Sequence, residues 1–133
     1  MIARSLGQPA DFFAPFFADE VEPVSVLRLL RYKLMPSALE SGVLGCGAHS
    51  DYGFLTLLHV KDSASGLEVQ SRDGAWLAVK PRKGCFVVNI GDMLSRWTNG
   101  VFRSTVHRVV IPRSLEKKPH HRFSIPFFFE VSN

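Results

Sequence analysis

His49 and Asp51 stand two residues apart in a run, residues 45–58, that reads as a strand, a short turn and a second strand. On an extended chain residues i and i+2 point to the same side, so one imidazole and one carboxylate converge on a single point. A later histidine, His107, lies in another strand-like run, residues 103–111. Two histidines and one carboxylate on one side of an ion form the facial ligand set of non-haem Fe(II) sites, which leaves coordination positions open for reactants. The metal site expected from these residues is therefore His49, Asp51 and His107. His59, His120 and His121 lack a second ligand at useful spacing. The plain alternative for each imidazole taken alone is a hydrogen-bonded strand histidine.

Such a site needs a scaffold that brings residue 107 back to residue 49. Residues 1–20 read as helical, with Pro15 limiting the pattern to short pieces. After them come short apolar or alternating runs separated by turn signals: 24–34, 46–49, 54–60, 67–71, 75–79, 85–90, 101–111 and 123–131. Arg72-Asp73-Gly74 is a hairpin signal, and Thr98-Asn99-Gly100 is a turn. Residues 93–97 allow one helical turn, and Asp92 is expected to cap local backbone amides. About eight short strands with little helix specify a mainly β fold. Its simplest closure is a double-stranded β-helix, or jelly roll, with a short N-terminal helical segment. One domain is expected over 1–133, with a helical lead-in over 1–23 and the jelly-roll core over 24–131.

The 133 residues suit a single core, and the net charge of +4 is modest. Part of that charge sits in residues 113–122, a basic run without interleaved aromatics that joins two apolar strands. It reads as a solvated loop, so nucleic acid is disfavoured as a partner, while small anionic ligands suit the charge. No apolar run approaches the roughly 20 residues of a membrane-spanning helix, and the first residues lack the apolar stretch of a signal peptide. Cys46 and Cys85 fall in strand-like runs and read as buried free thiols, for which a cytoplasmic location is the default.

Several motifs, in order, resemble one family. Gly47-Ala-His-Ser-Asp-Tyr-Gly-Phe-Leu-Thr-Leu-Leu58, Val88-Asn-Ile-Gly-Asp-Met-Leu-Ser-Arg-Trp-Thr-Asn-Gly100, Phe102-Arg-Ser-Thr-Val-His-Arg-Val109 and Arg122-Phe-Ser-Ile-Pro-Phe-Phe128 are similar to the catalytic half of the isopenicillin N synthase-like 2-oxoglutarate/Fe(II)-dependent dioxygenases. Gly66-Leu67-Glu68-Val69 and Gly74-Ala-Trp76 fall where that family has Gly-Leu-Gln-Val and Gly-x-Trp. The resemblance implies that His49, Asp51 and His107 hold Fe(II), with open positions for the 2-oxo acid and for O2. It also implies that Arg122 offers a bidentate fork to the far carboxylate of 2-oxoglutarate. Ser124 would add a hydroxyl from the same strand face, and Tyr32 would lie near that cosubstrate. The reaction implied is hydroxylation or desaturation of a small molecule, coupled to breakdown of 2-oxoglutarate into succinate and CO2.

Family members usually carry N-terminal helices and strands that brace the barrel, and the match here begins near residue 24. The resemblance therefore implies a chain without that region, exposed apolar surface on the outer sheet face, and self-association or a partner that covers it. The interval from His107 to Arg122 suggests an enlarged loop, and Arg31 and Lys33 depart from the family's usual residues around Tyr32. Two other readings stand beside the oxygenase. One is a jelly-roll module that binds without turnover, and the other an iron oxidase that works without 2-oxoglutarate. Arg108 is expected to make a structural ion pair, and two of Phe127, Phe128 and Phe129 to serve the core.

Overall fold

Nine strands pair antiparallel into two sheets among the residues that the computed structural model describes, namely 1–17, 25–33, 44–60, 66–110 and 121–131. They are β1 (Val26–Leu27), β2 (Leu30–Lys33), β3 (Leu44–His49), β4 (Leu55–Val60), β5 (Leu67–Gln70), β6 (Trp76–Ala78), β7 (Val87–Ile90), β8 (His107–Val110) and β9 (His121–Phe129). The helices are α1 (Ile2–Ser5) and α2 (Asp92–Trp97), with a 3-10 turn at Ala14–Phe17. One sheet runs β1–β9–β4–β7, with β2 also paired to β9, and the other runs β3–β8–β5–β6. This is the expected jelly roll. A loop is expected at 36–45, a turn at 61–66 and a basic loop at 113–122; of these, 36–43, 61–65 and 113–120 lie outside the described residues, while 44–45 belong to β3 and 121–122 open β9.

Strand alternation decides what the sheets enclose. Arg122, Ser124, Pro126 and Phe128 on β9, Thr56 and Leu58 on β4, and Val87 and Asn89 on β7 all line one cavity of about 370 Å³. The second sheet closes it with His107 and Val109 on β8 and Leu67 and Val69 on β5. Leu27, Leu29 and Phe86, of opposite parity, are exposed by 62%, 75% and 62%, which is the exposed apolar outer face expected from the sequence; Val88 is 58% exposed but also borders the cavity.

The main apolar cluster lies outside that cavity. Phe54, Leu94 and Val131 are buried together, and Ile2, Phe13, Phe17, Met93, Phe102 and Phe129 pack on them. The N-terminal phenylalanines supply much of this cover. Phe17 stacks on Phe129 at 4.5 Å, and Phe13 meets Phe54 edge-on at 5.2 Å. Phe128 lines the cavity while Phe127 and Phe129 touch each other on the opposite side, so alternation divides the three phenylalanines as expected.

Four expectations need correction. The single strand over 24–34 is two strands, broken at Arg28 and Leu29. The register Val26↔Phe128 and Leu30↔Ser124 sets Arg28 opposite Pro126, which accepts the Arg28 amide at 3.0 Å but has no N–H to return. The strand expected at 101–111 pairs, within the described residues, only over His107–Val110. Residues 98–102 instead finish the helix turn: Asn99 and Gly100 take φ of 50° and 78°, and the Phe102 amide donates to Thr98 Oγ1 at 3.1 Å. The thiols are not buried: Cys46 is half-buried, and Cys85 lies exposed in the turn before β7. The N-terminal helix reduces to α1 and one 3-10 turn.

Leu94 is fully buried at the centre of the apolar cluster. Leu94→Ala is expected to lower unfolding free energy by about 2–4 kcal/mol, measured as a shift in the urea midpoint with unchanged slope.

Candidate metal centre and its pocket

β3 and β8 are neighbours, and His49 faces His107 directly across them, with ring centroids 4.3 Å apart. Register shifts interrupt β3 between Leu44 and Cys46 and again between Cys46 and His49. An irregularity of this kind re-aims side chains. It lets Cys46 and His49, of opposite parity, line the same cavity.

Each imidazole is held from behind. His49 Nδ1 lies 2.8 Å from the Gly47 carbonyl and His107 Nδ1 lies 3.0 Å from the Thr105 carbonyl. A carbonyl oxygen only accepts, so each Nδ1 carries the proton and each Nε2 presents its lone pair to the centre. Asp51 divides its carboxylate between two tasks. Oδ2 accepts from Thr56 Oγ1 at 2.6 Å and from Asn89 Nδ2 at 2.8 Å. Oδ1 lies 3.7 Å from Nε2 of both histidines. The three candidate ligand atoms lie within 4.8 Å of one another, close enough to share one ion. Two neutral imidazoles and one carboxylate, each oriented by a second hydrogen bond, fit a divalent iron.

The turn that carries Asp51 is tied to α2. The amide of Asp92 donates to the Asp51 carbonyl at 2.8 Å, and that of Met93 to the Tyr52 carbonyl at 3.1 Å and the Gly53 carbonyl at 3.2 Å. The unsatisfied first amides of the helix thus hold the ligand turn. Gly91 makes this approach possible, since a Cβ there would collide with the Gly53 carbonyl. Asp92 makes no side-chain cap, contrary to expectation. Its Oδ2 accepts from Ser50 Oγ at 3.0 Å, a further tie between turn and helix.

Arg122, Ser124 and Tyr32 line the same cavity as the three ligand candidates. Arg122 is 4% exposed, and among the described residues no carboxylate lies within ion-pair reach. Its guanidinium lies over the Tyr32 ring at 4.9 Å and donates a long 3.4 Å bond to Ser124 Oγ, while Nε has no partner. Burial holds Arg122 below its ordinary pKa, although an arginine stays charged at neutral pH. A buried cation with unused donors favours an incoming anion. Arg108 makes the expected structural pair, 2.8 Å from Glu68 Oε2, and covers the Trp76 ring at 4.0 Å.

A smaller opening beside His49 and Asp51 is lined by Arg28, Phe128 and Glu130. Burial, and after it the negative charge of Asp51, holds the Glu130 carboxyl above the usual carboxylate range. Thr56, Asn89 and Glu130 escape a reading of the sequence. Asn89 carries a usable signal, as a lone amide within the apolar strand Val87–Ile90.

The model of the 2OG-Fe(II) oxygenase superfamily matches residues 23–131. The chain belongs to this superfamily. The chain is 43% identical over 131 residues to homoarginine-6-hydroxylase 2-ODD-233 of Oryza sativa subsp. japonica, a match covering 97% of the chain and 38% of that relative. It spans about two fifths of the length of the curated relatives it matches. Among solved structures it superposes on a full-length Neurospora crassa protein in complex with alpha-KG and thymine, with a TM-score of 0.85 and 37% identity, over 98% of this chain and 39% of that one. A putative 2OG-Fe(II) oxygenase family protein from Caulobacter crescentus gives a TM-score of 0.81 at 45% identity, over 98% and 40%.

Asn89→Ala and Thr56→Val each remove one support from Asp51 Oδ2. Either is expected to weaken Fe(II) binding by about 10–100-fold, read by anaerobic titration. Gly91→Ala should displace the ligand turn and lower both metal affinity and melting temperature, whereas Ala at the open Gly47 should leave the melting temperature unchanged.

Proposed function

We propose that this chain is the catalytic part of an Fe(II)- and 2-oxoglutarate-dependent oxygenase that oxidises a small molecule and releases succinate and CO2. His49, Asp51 and His107 are the metal ligands in this reading. Bound Fe(II) would supply open coordination positions for a 2-oxo acid and for O2, and the redox chemistry that couples decarboxylation to substrate oxidation. The chain's own residues do the rest. Gly47 and Thr105 carbonyls fix the Nδ1–H tautomer and so turn both Nε2 atoms toward the centre, and Thr56 with Asn89 holds Asp51 Oδ1 toward them. Arg122 takes the distal carboxylate of 2-oxoglutarate as a fork, Ser124 adds its hydroxyl, and Tyr32 supports the guanidinium from its ring face. The apolar side chains of Leu58, Leu67, Val69 and Val87 keep the cavity poor in competing water.

The observation that carries this reading is the unpaired, buried Arg122 in the same cavity as the three metal-ligand candidates. A metal site that served structure alone would have no use for a buried cation awaiting a dicarboxylate. Four relatives are named as homoarginine-6-hydroxylases, which favours a substrate of amino-acid size.

The test is 2-oxoglutarate-dependent succinate release with Fe(II) and O2. His107→Ala should abolish both Fe(II) binding and turnover. Arg122→Gln should weaken 2-oxoglutarate by at least about tenfold while Fe(II) still binds. Wild-type protein that binds Fe(II) but is indifferent to 2-oxoglutarate would refute the proposal.

A further inference from the structure

The inward face of β9 continues one residue past the end of the strand. Arg122, Ser124, Pro126 and Phe128 line the main cavity, and Phe128 and Glu130 line the smaller opening that reaches His49 and Asp51. The paired segment does the same from the other direction. Tyr32 lies opposite Arg122, Leu30 opposite Ser124 and Val26 opposite Phe128, so Arg28 falls between the last two on the inward parity. Arg28 lines both openings, and its guanidinium lies over the Phe128 ring at 5.4 Å.

Arg28 and Glu130 thus carry opposite charges around one opening beside the metal-ligand candidates, yet they form no ion pair with each other or with another described residue. Neither side chain is among the three metal-ligand candidates or the residues around Arg122. The Glu130 carboxylate lies over Gly53, in the space that a Cβ there would fill. An arginine and a glutamate that share a small opening without pairing can each meet a complementary charge on a third molecule.

We infer that Arg28 and Glu130 select the substrate, and that it is an ampholyte, with a carboxylate for Arg28 and a basic nitrogen for Glu130. This inference rests on the oxygenase reading above. Amino acids with a guanidinium or ammonium side chain have that chemistry. The two contacts would fix the molecule at both ends, across the open side of the metal site.

The test is calorimetric titration of the protein loaded anaerobically with Fe(II) and 2-oxoglutarate. L-Homoarginine, L-arginine and L-lysine are the two-ended probes, agmatine keeps the guanidinium but has no carboxylate, and hexanoate keeps only the carboxylate. At least one two-ended probe should bind about tenfold or more tightly than either one-ended compound. Glu130→Gln should weaken the two-ended probes and agmatine by about tenfold and leave hexanoate unchanged. Arg28→Gln should weaken the two-ended probes and hexanoate and leave agmatine unchanged. Gly53→Ala, in which a methyl group takes the carboxylate's place, should reproduce Glu130→Gln. Two-ended probes that bind no better than the one-ended compounds, or variants that weaken every probe alike, would overturn the inference. Failure to load Fe(II) and 2-oxoglutarate would remove the oxygenase reading as well. Successful loading without discrimination would remove only the selectivity.

Discussion

The centre depends on how the Asp51 carboxylate is shared. Its Oδ2 is bound by Thr56 on β4 and Asn89 on β7, both in the first sheet. Its Oδ1 faces His49 and His107, which belong to β3 and β8 of the second sheet. One side chain therefore joins the two layers at the point where an ion would sit. Those layers otherwise face each other across the cavity. The main apolar cluster lies elsewhere, under α2 and the N-terminal phenylalanines. Its contribution to the site is indirect: Leu94 anchors α2, and the first amides of α2 hold the Asp51–Gly53 turn.

β9 and the residue after it contribute one row of side chains to the cavity and to the smaller opening. Side chains of one parity pass from Arg122 through Ser124 and Pro126 to Phe128, and Glu130 follows. At about 3.3 Å per residue, eight residues of extended chain span roughly 26 Å. A single strand thus presents a cation at one end and a carboxylate at the other, with apolar surface between them. Strand periodicity alone fixes that order, so neither end can be moved without inverting the face of everything between.

Much of this is legible in the sequence because it depends on local rules. The His49 and Asp51 spacing and the strand-like run around His107 follow from alternation and ligand chemistry, while the Arg122 and Ser124 pair comes from the family resemblance. The hairpin at Arg72–Gly74 follows from turn chemistry, and Gly74 does adopt a positive φ of 87°. The misreadings come from non-local pairing. Nothing near Arg28 announces a broken strand, because its cause, Pro126, lies about a hundred positions away. Asp92 reads as a helix cap, but its carboxylate serves Ser50 across the molecule. Cys85 reads as buried because its neighbours are apolar, whereas the turn before β7 leaves it outside the pairing. Thr56 and Asn89 become meaningful only once the register Thr56↔Asn89 places both beside Asp51.

The gap opposite Pro126 bears on how such a protein can diversify. Arg28 gives one hydrogen bond to the ladder and receives none back from the proline. A residue at the mouth of the cavity is thereby relieved of part of its scaffolding duty. Substitutions at that position can change which molecules enter while the rest of the sheet keeps its pairing, and the fold can acquire new preferences there without rebuilding its centre.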